Sequence, residues 1–94
     1  MAYGTLAKPE RRNRHLAAAR YFEALGDDEL AGALANHYVA AHEASAAGAE
    51  ADAIAIQARL ALSGAADRAA TLGAREQAIS CLRQAIAIGR AIYW

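Results

Sequence analysis

The sequence predicts an all-α protein, an array of four helices each antiparallel to the next, and three observations carry that reading. Alanine supplies 29 of the 94 residues, whereas Leu, Ile, Val and Phe together supply only 17. Alanine has the best intrinsic helix propensity, and the β-branched and aromatic residues that favour strands are scarce. Between the breaks at Gly26, Gly48 and Gly73, apolar residues recur at helical rather than alternating spacing. A chain of this length forms one domain, residues 1–94, and buries roughly 60% or a little more of the surface its unfolded form exposes. The core is therefore lean. A chain so poor in large apolar residues would be expected to stay disordered at high net charge, but its formal charge is zero.

Each element has its own signals. Residues 1–8 form a lead-in, and Pro9, the only proline, suits the first turn of a helix, where its missing N–H costs nothing. His15, Ala18, Ala19, Phe22 and Leu25 then mark one face, and Gly26 supplies a left-handed stop. Asp27 caps the second helix, with Asp28 and Glu29 near the positive end of its macrodipole. That helix is expected to run to about Ala47 with Leu30, Leu34, Tyr38 and Ala41 on one side, so residues 9–47 make a helix pair. A second pair spans 50–92. Its first helix, Glu50 to Leu72, aligns Ile54, Ala58, Ala61, Leu62, Ala65 and Ala69, and carries Gly64 at a cost of about 1 kcal/mol relative to Ala, which suggests a close crossing or a kink. Its second, Ala74 to Ile92, is expected to turn Ala78, Ile79, Leu82, Ala85 and Ile86 inward. Turns of two or three residues force neighbouring helices to run antiparallel.

Charge is distributed in three blocks. Residues 1–25 carry five cations against two acids, residues 26–53 carry six acids and no Lys or Arg, and residues 54–94 carry five Arg against two acids. This suits mutually attracting antiparallel helices, although each exposed pair is worth under ~1 kcal/mol. Arg11, Arg12 and Arg14 spread over several faces of one helix, which argues against a nucleic-acid surface. No charge-free run of about 18 apolar residues is present to cross a membrane. The single Cys81 has no partner for an intrachain disulfide, and the N-terminus has no apolar signal region, so a reducing cytoplasm is expected. His37 and His42 diverge around the helix and do not form the His-Glu-x-x-His zinc signature. No pattern of nucleophile and base, paired carboxylates or cofactor-binding loop is present, and the expectation is a chain without catalytic, cofactor or metal residues.

The stretch "LGAREQAISCLRQAIAI", Leu72 to Ile88, places Ala78, Leu82 and Ala85 at spacings of five, nine and twelve after Gly73. That spacing is similar to the second half of a tetratricopeptide repeat, in which small residues let the partner helix approach and a large one fills the groove between units. The first half is degenerate, with Leu62, Ala65, Ala66 and Ala69 where larger residues and Gly usually stand. Together with "AYGTL", "RRNRHLAAARYFEAL" and "ELAGALANHYVAA", this stretch resembles the helical region downstream of the nucleotide-binding domain in large bacterial signalling ATPases, which are often fused to adenylate or guanylate cyclase or transcription-factor domains. The resemblance implies a tetratricopeptide-like α-α superhelix and a scaffolding role. It carries over none of the ATPase chemistry, since no Gly-x-x-x-x-Gly-Lys-Ser/Thr loop occurs.

A repeat array normally ends in a polar capping unit, yet this chain ends in Ile88, Ile92, Tyr93 and Trp94. With Leu82 and Leu62, these are the candidate interaction residues. The cluster is expected to be buried by the N-terminal segment with Tyr3 and Leu6, by a second copy through the terminal helix, or by an adjacent repeat. The leading function is thus a non-catalytic helical interaction module for a protein partner. A small-ligand sensor, with His37, Tyr38 and Gln57 as polar contacts between the second and third helices, is the alternative.

Overall fold

The computed structural model describes residues 7–93, with side chains described for residues 7–90. Four helices form: α1 (Lys8–Leu25), α2 (Ala31–Glu43), α3 (Ala49–Thr71) and α4 (Arg75–Tyr93), with a short 3-10 turn at Asp28–Leu30 leading into α2. No strand occurs among the described residues. The all-α expectation holds.

The helix ends obey the local chemistry. Pro9 sits in the first turn of α1, and Gly26 stops that helix at φ 64°, with its N–H donating to the Glu23 carbonyl. Asp27 Oδ1 accepts from the Glu29 N–H at 2.9 Å, so it caps the 3-10 turn rather than α2 itself. After α3, Gly73 takes φ 78° and donates to the Ala70 carbonyl, while the Ala74 N–H reaches back to Ala69 at 2.8 Å. These two bonds make a Schellman motif, which satisfies carbonyls that the end of α3 would leave orphaned.

Two expected boundaries or roles change. The second helix ends at Glu43 rather than near Ala47, because Ser45 donates from both its N–H, to His42, and its hydroxyl, to Ala41 at 2.8 Å. Both bonds cap carbonyls and close the helix early. Gly64 marks no close crossing: it is exposed, and a Cβ built there meets nothing within 4 Å. The tighter approach lies at Gly89, where a Cβ would stand 3.2 Å from the Arg59 side chain.

Packing runs in chain order: α1 against α2, α2 against α3, α3 against α4, with only marginal contact between elements further apart. The extents, 45 × 32 × 23 Å, match a flattened open array rather than a closed bundle. At the centre lies α3, whose buried side chains are Ile54, Leu62 and the alanines at 51, 55, 58, 65, 66 and 69. These fall within about a third of its circumference at about 100° per residue. Leu16 and Ala19 from α1, Ala35, Tyr38 and Ala41 from α2, and Ala85 and Ile88 from α4 complete the cluster. Among the described residues, Leu62 is the only large side chain with under 2% exposure.

Of the expected inward set of α4, only Ala78 and Ala85 are buried. Ala78, Ala85 and Ile88 are buried with Cys81 half-buried beside them, a regular stripe spaced three or four residues apart. Ile79, Leu82 and Ile86 are exposed. They form a second stripe rotated by about 100° from the first, and a helix with a single neighbour can bury only one. The stripe that packs is the alanine-rich one, which lets the two helix axes come close. Leu25, expected on the inner face of α1, is likewise exposed because it lies in the last turn beside Gly26.

Stability should respond unevenly to substitution. Leu62→Ala is expected to cost about 3 kcal/mol in urea unfolding, against a few tenths for Leu82→Ala. Gly64→Ala should stabilise and Gly73→Ala destabilise, each by about 1 kcal/mol, because one glycine wastes helix propensity in open space and the other holds a left-handed turn.

Candidate interaction site

The second apolar stripe of α4 does not stand alone. Leu82 and Ile86 share a hollow of about 490 Å³ with Ile56, Leu60 and Ser63 of α3. Leu82 also borders an adjoining hollow of about 270 Å³ that continues to Ile79, Arg75 and the Gly73 turn. Together these form a groove along one side of the α3/α4 hairpin. Its apolar walls are well exposed: Leu60 64%, Ile86 56%, Leu82 48% and Ile56 43%. Isolated exposed leucines are ordinary, but five large aliphatic residues converging on one groove mark a surface suited to contact.

Of the expected interaction residues, Leu82 lies in this groove. Leu62 and Ile88 do not reach the surface: both are packed inside the chain's own core cluster, where a second molecule has no access. The side chains of Ile92, Tyr93 and Trp94 fall outside the described residues, as do Tyr3 and Leu6. Ile56, Leu60 and Ile86 join the surface set. Their signal was present in the sequence as the Ile56–Leu60 and Leu82–Ile86 pairs four residues apart, each outside the stripe its helix buries.

A second depression, about 530 Å³, opens between α2 and α3, and Tyr38, Gln57, Leu60, Asp67 and Arg68 are among its lining residues. Tyr38 and Gln57 both line it. His37 does not join them. It faces α1, where its Nδ1 lies 3.0 Å from Nδ1 of His15 and its ring packs against Phe22, the centroids 5.4 Å apart and the planes tilted by 38°. The two imidazoles share one hydrogen bond, with one nitrogen donating and the other accepting. His37 is thus an interface packing residue, and among the described residues no group of three His, Cys, Asp or Glu is placed to hold a metal ion.

Tyr38 is buried and donates its O–H to Glu23 Oε2 at 2.7 Å, tying α2 to α1. Burial pushes the phenol up to about 12, the Glu23 carboxylate adds to the rise through the hydrogen bond and its charge, and Arg20 opposes it. The Arg12 guanidinium reaches Glu50 at the start of α3 at 3.4 Å. This pair joins the basic first block to the acidic middle block, and at such exposure it contributes well under ~1 kcal/mol. No family model matches the chain, and neither a curated protein nor a solved structure does. No helix among the described residues is long and apolar enough to cross a membrane.

The Tyr38 phenol makes a clean pH signature. Its proton is held more tightly folded than unfolded, so its contribution is fully present below pH 10.0 and is lost as pH rises toward about 12. Tyr38→Phe should flatten that alkaline limb of the stability profile while costing about 1 kcal/mol at neutral pH, read by urea melts across the range.

Proposed function

We propose that this chain is a non-catalytic helical interaction module whose α3/α4 groove docks a partner protein. The observation that supports it is the double apolar seam of α4. One seam, Ala78, Ala85 and Ile88, is spent on α3, and the other, Ile79, Leu82 and Ile86, faces an open groove. A helix with two seams has the pattern of an inner member of an array, flanked by neighbours on both sides, yet among the described residues α4 packs mainly on α3. The tetratricopeptide-like spacing after Gly73, in an array whose helices pack in chain order, supports a repeat-type origin. The segments "AYGTL", "RRNRHLAAARYFEAL", "ELAGALANHYVAA" and "LGAREQAISCLRQAIAI" support a place within, or descent from, a bacterial signalling ATPase or cyclase-type regulator acting in the cytoplasm.

Site-specific photo-crosslinking tests the docking surface. A benzophenone side chain at position 82 should yield a defined crosslinked product in cells, and the same group at Gln84, on the opposite side of α4, should not. Leu82→Asp or Ile86→Asp should weaken partner binding at least tenfold while leaving helicity and melting temperature nearly unchanged. Equal crosslinking from both faces would count against the groove.

The depression holding Tyr38 and Gln57 supports the second reading, a small-ligand sensor. On that reading a metabolite would raise the melting temperature, and Gln57→Ala would remove the rise.

A further inference from the structure

We propose that the partner element received by the α3/α4 groove is an acidic amphipathic helix, its aliphatic side chains on the groove floor and its carboxylates against Arg75, Arg83 and Arg90. This rests on the interaction-module reading and assigns the partner's chemistry.

The charges around the groove are mainly cationic, with Asp67 of α3, across the Leu60 crest, as an acid on the outer rim. At about 100° per residue, Arg75, Arg83 and Arg90 fall in the same sector of α4 as Ile79, Leu82 and Ile86, within about 100° of arc. All three guanidinium side chains are exposed, and none forms an ion pair among the described residues. The charged residues lining the two hollows are Arg59 and Arg75, and no carboxylate lines either one. Glu76 stands at the edge of the sector as its only acid. Arg75 also opens α4, where the helix dipole is positive and a cation is disfavoured within the fold, so its charge adds to a field that attracts anions.

The shape selects a helix. From Ile56 to Ala70 the α3 wall runs about 21 Å, the length of about four helical turns, and an aliphatic stripe at three- and four-residue spacing matches the floor. A second copy is a poor occupant. Packing α4 on α4 would bring its arginine rows together, and the acidic stretch of this chain, from the 3-10 turn through α2 to the first turn of α3, has its apolar side committed to the core. A flat anionic membrane would meet the more exposed Leu60 and Ile86 first and leave the walls at Leu82 and Ile56 partly uncovered.

The test uses the full chain and three synthetic helical peptides of about fourteen residues. All share Leu at helical spacing and carry Glu, Gln or Lys at the flanking positions. Fluorescence anisotropy should show the Glu peptide binding about tenfold tighter than the Gln peptide, with the Lys peptide weakest and the preference shrinking as salt rises. Leu82→Asp should abolish binding of all three. The triple change Arg75→Glu, Arg83→Glu, Arg90→Glu, with helicity retained, should invert the order so that the Lys peptide binds best. Equal binding of the Glu and Gln peptides, both lost with Leu82→Asp, would overturn the acidic assignment and leave the docking groove standing. Binding of no peptide, with Leu82→Asp also silent in sedimentation, would overturn both. A dimer that dissociates with Leu82→Asp and excludes the peptides would make a second copy the occupant. Retention on phosphatidylcholine–phosphatidylglycerol vesicles without peptide discrimination would make it a lipid surface; either result defeats the proposal.

Discussion

The close, alanine-lined approach of α3 to both its neighbours is the constraint on which the rest of this structure depends. Six of the eight buried residues of α3 are alanines, and they leave room for α2 on one flank and α4 on the other. Small side chains release little free energy per residue on burial, so the contact works through proximity and number rather than through bulk. That arrangement leaves almost no tolerance for added volume at Ala55 or Ala58, which are fully buried. It also concentrates the load on few large groups: among the described residues the buried ones are Leu62, Ile54, Leu16, Tyr38 and Ile88, with Leu34 and Val39 packed half-buried against them.

The same constraint explains why the surface groove exists. Because α4 spends alanines on α3, its larger aliphatic residues are free to face outward, and α3 contributes Ile56 and Leu60 from the side away from its buried stripe. Two hollows thus flank α3, one toward α4 and one toward α2, with Leu60 on the crest between them. The polar contacts of the fold lie mostly at the other end of the array. There Tyr38 to Glu23 and His15 to His37 fasten α1 to α2 by directional bonds, where the alanine seam gives way to larger residues.

Much of this was legible in the sequence, and the parts that were not have physical reasons. Gly26 and Gly73 announced their turns because only glycine holds positive φ without strain, and Pro9 announced a helix start because it needs no donor there. The inner stripe of α3 could be read because only one stripe of that helix is apolar and continuous. On α4 two stripes compete, and periodicity alone favours the one with larger residues, Ile79, Leu82 and Ile86; packing chose the other because the facing surface is alanine. Ser45 closing α2 early was hidden because a hydroxyl bond to the preceding turn competes with a further helical turn by a margin that propensity does not resolve. The pairing of His15 with His37 comes from a hairpin centred near Asp27, which brings residues at similar distances on either side to the same height. Nothing in spacing alone shows that their Nδ1 atoms meet.

The mainly sequential packing of the helices also governs time. Since each helix touches chiefly the next along the chain, most tertiary contacts close short loops, and such low contact order goes with folding in microseconds to milliseconds rather than seconds. It also means that the two ends are held unequally from the middle. α1 and α4 each detach by breaking a single interface, whereas α2 and α3 can leave only by breaking two, so amide protons of the inner pair should be the last to exchange and those of the outer helices the first. A molecule seated on α4 would slow its opening, and binding at the edge of the array would be felt as rigidity at its end.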